Sequence, residues 1–194
     1  MSVNRQAARS ASTRAKLVRA ARTLFARHGY AAVGTEQIVR RAGVTRGALY
    51  HHFATKEDLF LAVYEQVEHD LTARLVSLVS EAASPLEALR IGIRTFLDAC
   101  RTPEMQRIVL VDGPAVLGWE RWREIAQQNG LGLTEGVLNA AVEAGEIAPI
   151  AVTPLAHMLG GALDEAALLV VNDPDQTDTV AATLERLLDG LRPR

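Results

Sequence analysis

The sequence has little of several features that would indicate particular classes of protein. Cys100 is the one cysteine among 194 residues, so an internal disulfide is impossible and the chain fits a reducing cytoplasm. No run of about 18 apolar residues predicts a transmembrane helix, and the first residues lack the apolar segment of a secretory signal. Aromatic residues make up 5% of the chain, yet 48% of it is hydrophobic, which is enough for a real core.

Acidic residues are scarce at one end of the chain only. Residues 1–60 carry 11 Lys and Arg against 3 Asp and Glu, a balance of +8, whereas the other 134 residues carry 10 against 20, a balance of −10. A basic section can hold a polyanion while an acidic body stays clear of it. An exposed basic helix face without such a partner is the plainer alternative.

The periodicity of apolar residues predicts helices throughout, because no segment shows the alternation of a β-strand. We expect a flexible arm over residues 1–11, a first helix over 13–28 and about nine helices in all. Glycines at 29 and 43 are expected to end the first two helices. The N-caps predicted for later helices are Thr35, Thr45, Thr55 and Thr153. A break is predicted over 112–118, and a kink or close contact at the glycines of the helix 119–144.

The segment GVTRGALYHHF, residues 43–53, has the pattern of the turn and second helix of a helix-turn-helix. Val44 and Leu49 are expected to pack against the protein. Four residues are then expected to point outward: Arg46, Gly47, Tyr50 and His51. Arginine can bind guanine O6 and N7 bidentately, and glycine lets the helix backbone approach DNA. A metal site at the paired histidines is disfavoured, because adjacent helical residues point about 100° apart and no third ligand is in view.

Residues 29–60, GYAAVGTEQIVRRAGVTRGALYHHFATKEDLF, resemble the DNA-binding motif of the TetR family of transcriptional regulators. The resemblance covers about residues 12–72. It implies an all-α fold with an N-terminal three-helix DNA-binding domain over 12–58, whose motif is at about 34–53. A helical regulatory and dimerisation domain over 59–194 would follow.

The resemblance also implies which residues contact DNA. Thr35 and Lys56 correspond to phosphate contacts at helix starts. The recognition-helix contacts are Thr45, Arg46, Gly47, Tyr50 and His51. A contact by His52 is left open.

The helical body offers candidates for a ligand pocket. Trp119 and Trp122 lie three residues apart and either line a pocket or fill the core. If the fold surrounds a cavity, as the resemblance implies, the lining would be Phe96, Cys100, Met105, Trp119 and Trp122. Asp112 and Arg123 have two interpretations: they anchor the ligand through polar contacts, or they are charges on the protein surface. The few polar candidates indicate a largely apolar small molecule.

The predicted helix 154–171 is apolar on nearly every side, so it is central to its domain or buried by a second subunit. With the last helix it would form a four-helix bundle across a two-fold axis, as in the TetR family. The candidate interface residues are Leu159, Leu163, Ala166, Val170, Leu184 and Leu188.

The sequence therefore predicts a cytoplasmic homodimer that binds a near-palindromic operator in double-stranded DNA. We expect a repressor released by a small ligand, with no cofactor, metal or membrane contact. A ligand-independent activator or architectural protein is the alternative. No nucleophile with a base and an orienting group is visible, so no enzyme activity is expected.

Overall fold

A computed structural model describes the backbone of Ser2–Pro193, and the side chains of all these residues except 2–5, 127 and 129. Nine α-helices fill this part of the chain and it holds no strand, as the periodicity predicts. The helices are α1 (Ser2–His28), α2 (Thr35–Ala42), α3 (Arg46–His52), α4 (Lys56–Ser80), α5 (Pro85–Cys100), α6 (Gly113–Leu117), α7 (Trp119–Glu143), α8 (Val152–Asn172) and α9 (Thr177–Asp189). A π-helical stretch, Met105–Asp112, precedes α6, and a 3₁₀ turn, Pro174–Gln176, precedes α9.

The chain divides into two compact units. The first unit contains the residues up to Val67 together with Pro103–Trp119. The second contains Glu68–Thr102 and the residues from Glu120 onward. The predicted boundary after residue 58 therefore falls inside the first unit, which also takes in a later segment of the chain.

Helix α1 begins at Ser2, so residues 2–11, predicted as a flexible arm, are helical. Residues 6–12 are exposed and pack on no core, which explains why apolar periodicity gives no sign of the helix there. Alanine, glutamine and arginine are good helix formers and extend the helix ahead of its first buried residue, Leu17. Gly29 ends α1 with φ +79°, as predicted.

The turns around α2 and α3 follow the sequence closely, with one exception. Gly43 adopts φ +64° after α2, and the Ala48 N–H donates to the hydroxyl of Thr45, the N-cap of α3, over 3.2 Å. Thr35, predicted as an N-cap, is instead the first residue of α2. The N-cap is Gly34, whose N–H donates to Oε1 of Gln37 over 2.9 Å.

Helix α4 begins with a reciprocal capping box. The Asp58 N–H donates to the Thr55 hydroxyl over 3.0 Å, and the Thr55 N–H donates to the Asp58 carboxylate over 2.9 Å. Its 25 residues correspond to a length of about 37 Å. The N-cap predicted at Thr55 is therefore right, and the helix ends at Ser80, one residue before the end at Glu81 that its apolar stripe predicts.

The segment 112–118, predicted as a break, is helical up to Leu117 and ends at Gly118, whose φ is +79°. Pro114 has no N–H to donate and its ring excludes an ordinary α-helical bond to the carbonyl four residues earlier. The helix before it has π geometry, in which residues five apart are bonded, and so accommodates the proline.

The second unit is organised around one apolar cluster. It takes residues from α5, α7, α8 and α9, among them Leu97, Leu138 and Leu188, which are fully buried. Helix α7 runs unbroken, and a Cβ added at Gly130, Gly132 or Gly136 would meet no described atom within 4 Å. The close contact predicted for these glycines is therefore not found within the described part of the chain.

Helix α8 begins at Val152 with Ala151 as its N-cap, so Thr153 lies inside the helix rather than capping it. By length and composition alone α8 would suffice to cross a membrane, and 22% of its most apolar window is buried. Helix α8 nevertheless contains no uninterrupted run of about 18 apolar residues, because Asp164 and Glu165 lie within it.

Candidate nucleic-acid interface

Helices α2 and α3 and the turn between them form the helix-turn-helix predicted from the sequence. Ile38 and Leu49 are fully buried and hold the two helices on the core of the first unit. Beneath them, Phe25, Tyr30 and Phe60 contact one another, with ring centroids 5.1 to 5.7 Å apart. The packing leaves the outer face of α3 to solvent.

Three of the predicted contact residues lie together, Arg46 and Tyr50 on that outer face and Thr35 at the start of α2. Hydrogen bonding from the Thr35 side chain, and then from Arg46, lowers the pKa of the Tyr50 phenol, which is exposed. The Arg46 guanidinium lies 5.6 Å from the centre of the Tyr50 ring. Arg46 is also 3.9 Å from Glu36, an exposed pair that is worth little in water and leaves Arg46 available to an anion.

Gly47 lies on the same face and has no structural need to be glycine. It is helical with ordinary φ, and the nearest atom to an added Cβ would be the Thr45 hydroxyl, 4.0 Å away. The protein itself therefore has room for a side chain at this position.

The two histidines differ in exposure. His51 is exposed, whereas His52 is half-buried, with the two rings 5.2 Å apart. Burial lowers the pKa of His52, and the charges of His51 and Arg14 add to that effect. Groups of three or more metal-ligating side chains are absent from the described residues.

Lys56 is oriented differently from the other candidate contacts. Its ammonium group donates to the backbone carbonyls of Tyr30 and Val33, over 3.0 and 3.1 Å, and lies 3.9 Å from the centre of the Tyr30 ring. It is half-buried. These contacts hold the turn that connects α1 to α2, so much of the donor capacity of Lys56 is used inside the protein.

Asp112 also holds this turn. The sequence leaves two interpretations of Asp112 open, a polar anchor for the ligand and a surface charge. Asp112 is 8% exposed, and its carboxylate accepts the Tyr30 N–H over 2.7 Å. Arg107 lies 3.6 Å from the same carboxylate. Asp112 is therefore a structural acceptor for the turn. Sequence periodicity could not have shown this contact, because the partners are 82 residues apart.

The predicted pocket residues are divided between the two units. Met105, which is buried, and Trp119, which is 59% exposed, belong to the first. Cys100 and Trp122, which are buried, and Phe96, which packs on the apolar cluster, belong to the second. Trp119 is thus exposed and Trp122 is buried, although their helical spacing predicts that both lie on one face.

The predicted interface residues face largely inward. Ala166, Val170, Leu184 and Leu188 are buried in the cluster of the second unit, and Leu159 and Leu163 pack partly against it. The exposed apolar side chains of α8 are on its opposite face: Met158, Leu168 and Leu169 are 71%, 46% and 44% exposed. Periodicity could not distinguish the two faces, because α8 is apolar nearly all round.

Comparisons with known proteins agree with this architecture. The chain matches the family of bacterial regulatory proteins of the tetR type over residues 17–63. It matches the tetracyclin repressor-like C-terminal domain over residues 86–191, more than half of the chain.

Individual relatives extend the match over nearly the whole chain. A TetR-family transcriptional regulator from Pectobacterium atrosepticum has a solved structure of TM-score 0.85 with 33% identity, covering 96% of this chain and 97% of that one. The transcriptional repressor KstR2 of Mycobacterium tuberculosis is 29% identical over 76% of this chain and 75% of its own. The fold is also that of FadR from Bacillus subtilis, solved with stearoyl-CoA, at TM-score 0.73 and 21% identity over 89% of this chain and 96% of that one.

Proposed function

Because the chain belongs to the TetR family of transcriptional regulators, we propose that it is a homodimeric repressor that a small molecule releases from its operator. Proteins of this family bind DNA through the helix-turn-helix. The observation that carries the proposal is the outer face of α3. It presents a guanidinium, a phenol, an imidazole and a bare glycine backbone to solvent on a tightly packed support.

The residues of this face suit the major groove of DNA. Arg46 can donate two hydrogen bonds to guanine O6 and N7, and the first turn of a recognition helix is where base contacts are made. Tyr50 and His51 lie one turn later and can reach phosphates or a thymine methyl. Thr35 and the cap residue Thr45 are at helix N-termini, where N–H groups favour phosphate.

Selection of a preferred duplex from a random pool by the full chain tests this proposal. Arg46→Ala should then weaken binding to the selected site by about 1–3 kcal/mol and relax the preference at one base pair. Arg186→Ala, an exposed arginine of α9, is the matched control and should change neither. A wild-type chain that prefers no sequence and binds no duplex would contradict the proposal.

The dimer is proposed on the exposed apolar face of α8. Met158, Leu168 and Leu169 on α8, with Leu187 on α9, leave more apolar surface in water than isolated side chains normally do. A second copy related by a two-fold axis would cover the same face on both chains. Two copies of α3 could then enter successive major grooves, about 34–36 Å apart, of a near-palindromic operator.

A small, largely apolar ligand is proposed to bind in the second unit. The support is the apolar interior of that unit and the fold it shares with FadR, whose structure holds stearoyl-CoA. A coupling of about 1–3 kcal/mol between ligand and operator would change occupancy roughly 5–150-fold. A screen of apolar small molecules at fixed salt tests it: a tight binder that leaves operator affinity unchanged would count against ligand release and favour the ligand-independent alternative.

A further inference from the structure

Arg14 lies in an unusual place on α1. It is in phase with Leu17, Ala21 and Phe25, three residues that are fully buried, at helical spacings of three and four. The core face of α1 is thus continued toward its N-terminus by an arginine, which is exposed. This position directs Arg14 toward the helix-turn-helix and not toward the opposite side of α1.

The guanidinium of Arg14 is held beside the end of the recognition helix. Its Cζ lies 5.2 Å from the ring centre of Phe53, the residue that caps α3 at its C-terminus and is 4% exposed. A cation–π contact fixes the guanidinium while leaving N–H groups available to oxygen acceptors. A second helix therefore places a positive charge next to the surface formed by α3.

The charge of Arg14 differs in its surroundings from that of Arg22, another arginine of α1. His52 lies nearby on α3, where the Arg14 charge acts on it. Within the described part of the chain no carboxylate lies within ion-pair distance of Arg14. Arg22, eight residues further along α1, is by contrast paired with Glu104 at 2.6 Å. Arg14 is therefore an uncompensated cation at the edge of the interface.

We propose that Arg14 binds a phosphate of the same DNA duplex that α3 reads, as a contact from outside the helix-turn-helix. This inference rests on the proposed function, because α3 brings the duplex to this edge. Phosphodiester oxygens suit a guanidinium whose position is already fixed, since its planar array of donors can bind two oxygens at once. Such a contact positions the protein on the duplex and carries no sequence information.

The test compares Arg14→Gln with Arg27→Gln in the full chain. Both arginines are exposed on α1 and lose the same charge, but Arg27 lies 13 residues further on, which is about 20 Å along the helix. Affinity is measured over a range of salt concentrations for the duplex selected by the wild type and for an unrelated duplex of equal length. Arg14→Gln should weaken both by roughly tenfold and reduce the salt slope by about 0.9 for each bound protomer, whereas Arg27→Gln should leave the slope unchanged.

Arg14→Lys separates a phosphate contact from simple packing on Phe53. It keeps the charge and should restore the wild-type slope, and its thermal unfolding temperature shows whether stability has changed. Unchanged affinity and slope in Arg14→Gln, while the wild type binds its selected duplex, would overturn the inference and leave the proposed function intact. A loss in Arg14→Gln that follows its thermal stability and is not restored by lysine would also overturn it. A wild type that binds no duplex would instead refute the proposed function.

Discussion

At the scale of the residue, two glycines of the helix-turn-helix have different physical requirements. Gly43 needs its glycine for the backbone, because φ is +64° there. Gly47 is an ordinary helical residue with open space around it. The sequence alone predicted both roles, since one glycine ends a helix pattern and the other interrupts it.

Substituting the two glycines should therefore give opposite results. Gly47→Ala should raise the free energy of unfolding by up to about 1 kcal/mol through helix propensity, and weaken operator binding by about 1–3 kcal/mol because the methyl group meets the DNA. Gly43→Ala should lower the free energy of unfolding by about 1–2 kcal/mol. Urea unfolding and operator titration measure both quantities. Full operator affinity in Gly47→Ala would show that α3 does not approach DNA closely at this point.

Besides its place in the predicted pocket, Cys100 has two interpretations from the sequence: a buried small apolar residue, or a redox switch, which the lack of a second thiol in the chain disfavours. It is fully buried. Burial, followed by the charges of Glu68 and Asp164, raises the pKa of its thiol to about 12. The thiolate, which is the reactive form, is then scarce at neutral pH.

Native protein at pH 8 should thus resist a thiol-specific alkylating reagent, and protein unfolded in guanidinium should react completely. Mass spectrometry of samples quenched over time gives both rates. Since the reagent needs both access and thiolate, native labelling should follow unfolding of the second unit. Native labelling as fast as that of a small free thiol would disprove the protected site and restore the redox interpretation.

At the scale of the element, the turn between α1 and α2 depends on distant residues that no local pattern reveals. The sequence placed the helices on either side of it correctly, because apolar periodicity and terminal glycines are local signals. The sequence could not show that Thr35 is the first residue of α2 and not its N-cap. Gly34 followed by Gln37 three residues later also fits the pattern of a helix N-terminus. Nor could the sequence show that Lys56 faces the turn, since the family pattern suggested phosphate for the same side chain.

Lys56→Ala distinguishes these two roles. If the lysine chiefly holds the turn, the substitution should lower the free energy of unfolding by about 1–3 kcal/mol, because two backbone carbonyls lose their donor. Lys16→Ala, on the exposed face of α1, is the control and should have little effect. Stability is measured by urea unfolding and the salt slope by titration with DNA. Unchanged stability with a slope reduced by about one would favour the phosphate contact instead.

At the scale of the whole molecule, the exposed apolar face of α8 is the surface on which the proposed dimer depends. The sequence indicates that α8 is too apolar for one of its faces to be left in water. It does not indicate which face points outward. Contacts with α5 and α9 decide that, and they bury Ala166 and Val170 while leaving Leu168 and Leu169 in water.

Leu168→Glu should therefore convert a dimer to monomers, because a carboxylate would be buried without a partner at a cost of several kcal/mol. Val76→Glu changes a similarly exposed apolar residue on α4 and should leave the dimer unchanged. Sedimentation velocity at several concentrations measures the mass. A Leu168→Glu chain that stays dimeric would exclude this face of α8 from the interface.

The π-helical stretch before α6 has a consequence for the length of the chain. Successive residues of a helix point in different directions around its axis, so deleting a single residue between Met105 and Asp112 would rotate the Asp112 carboxylate away from the Tyr30 N–H. The side chain of Val111 within this stretch is 47% exposed and should tolerate substitution. Substitutions at such an exposed position should therefore preserve the bond, whereas a one-residue deletion in the stretch should break it.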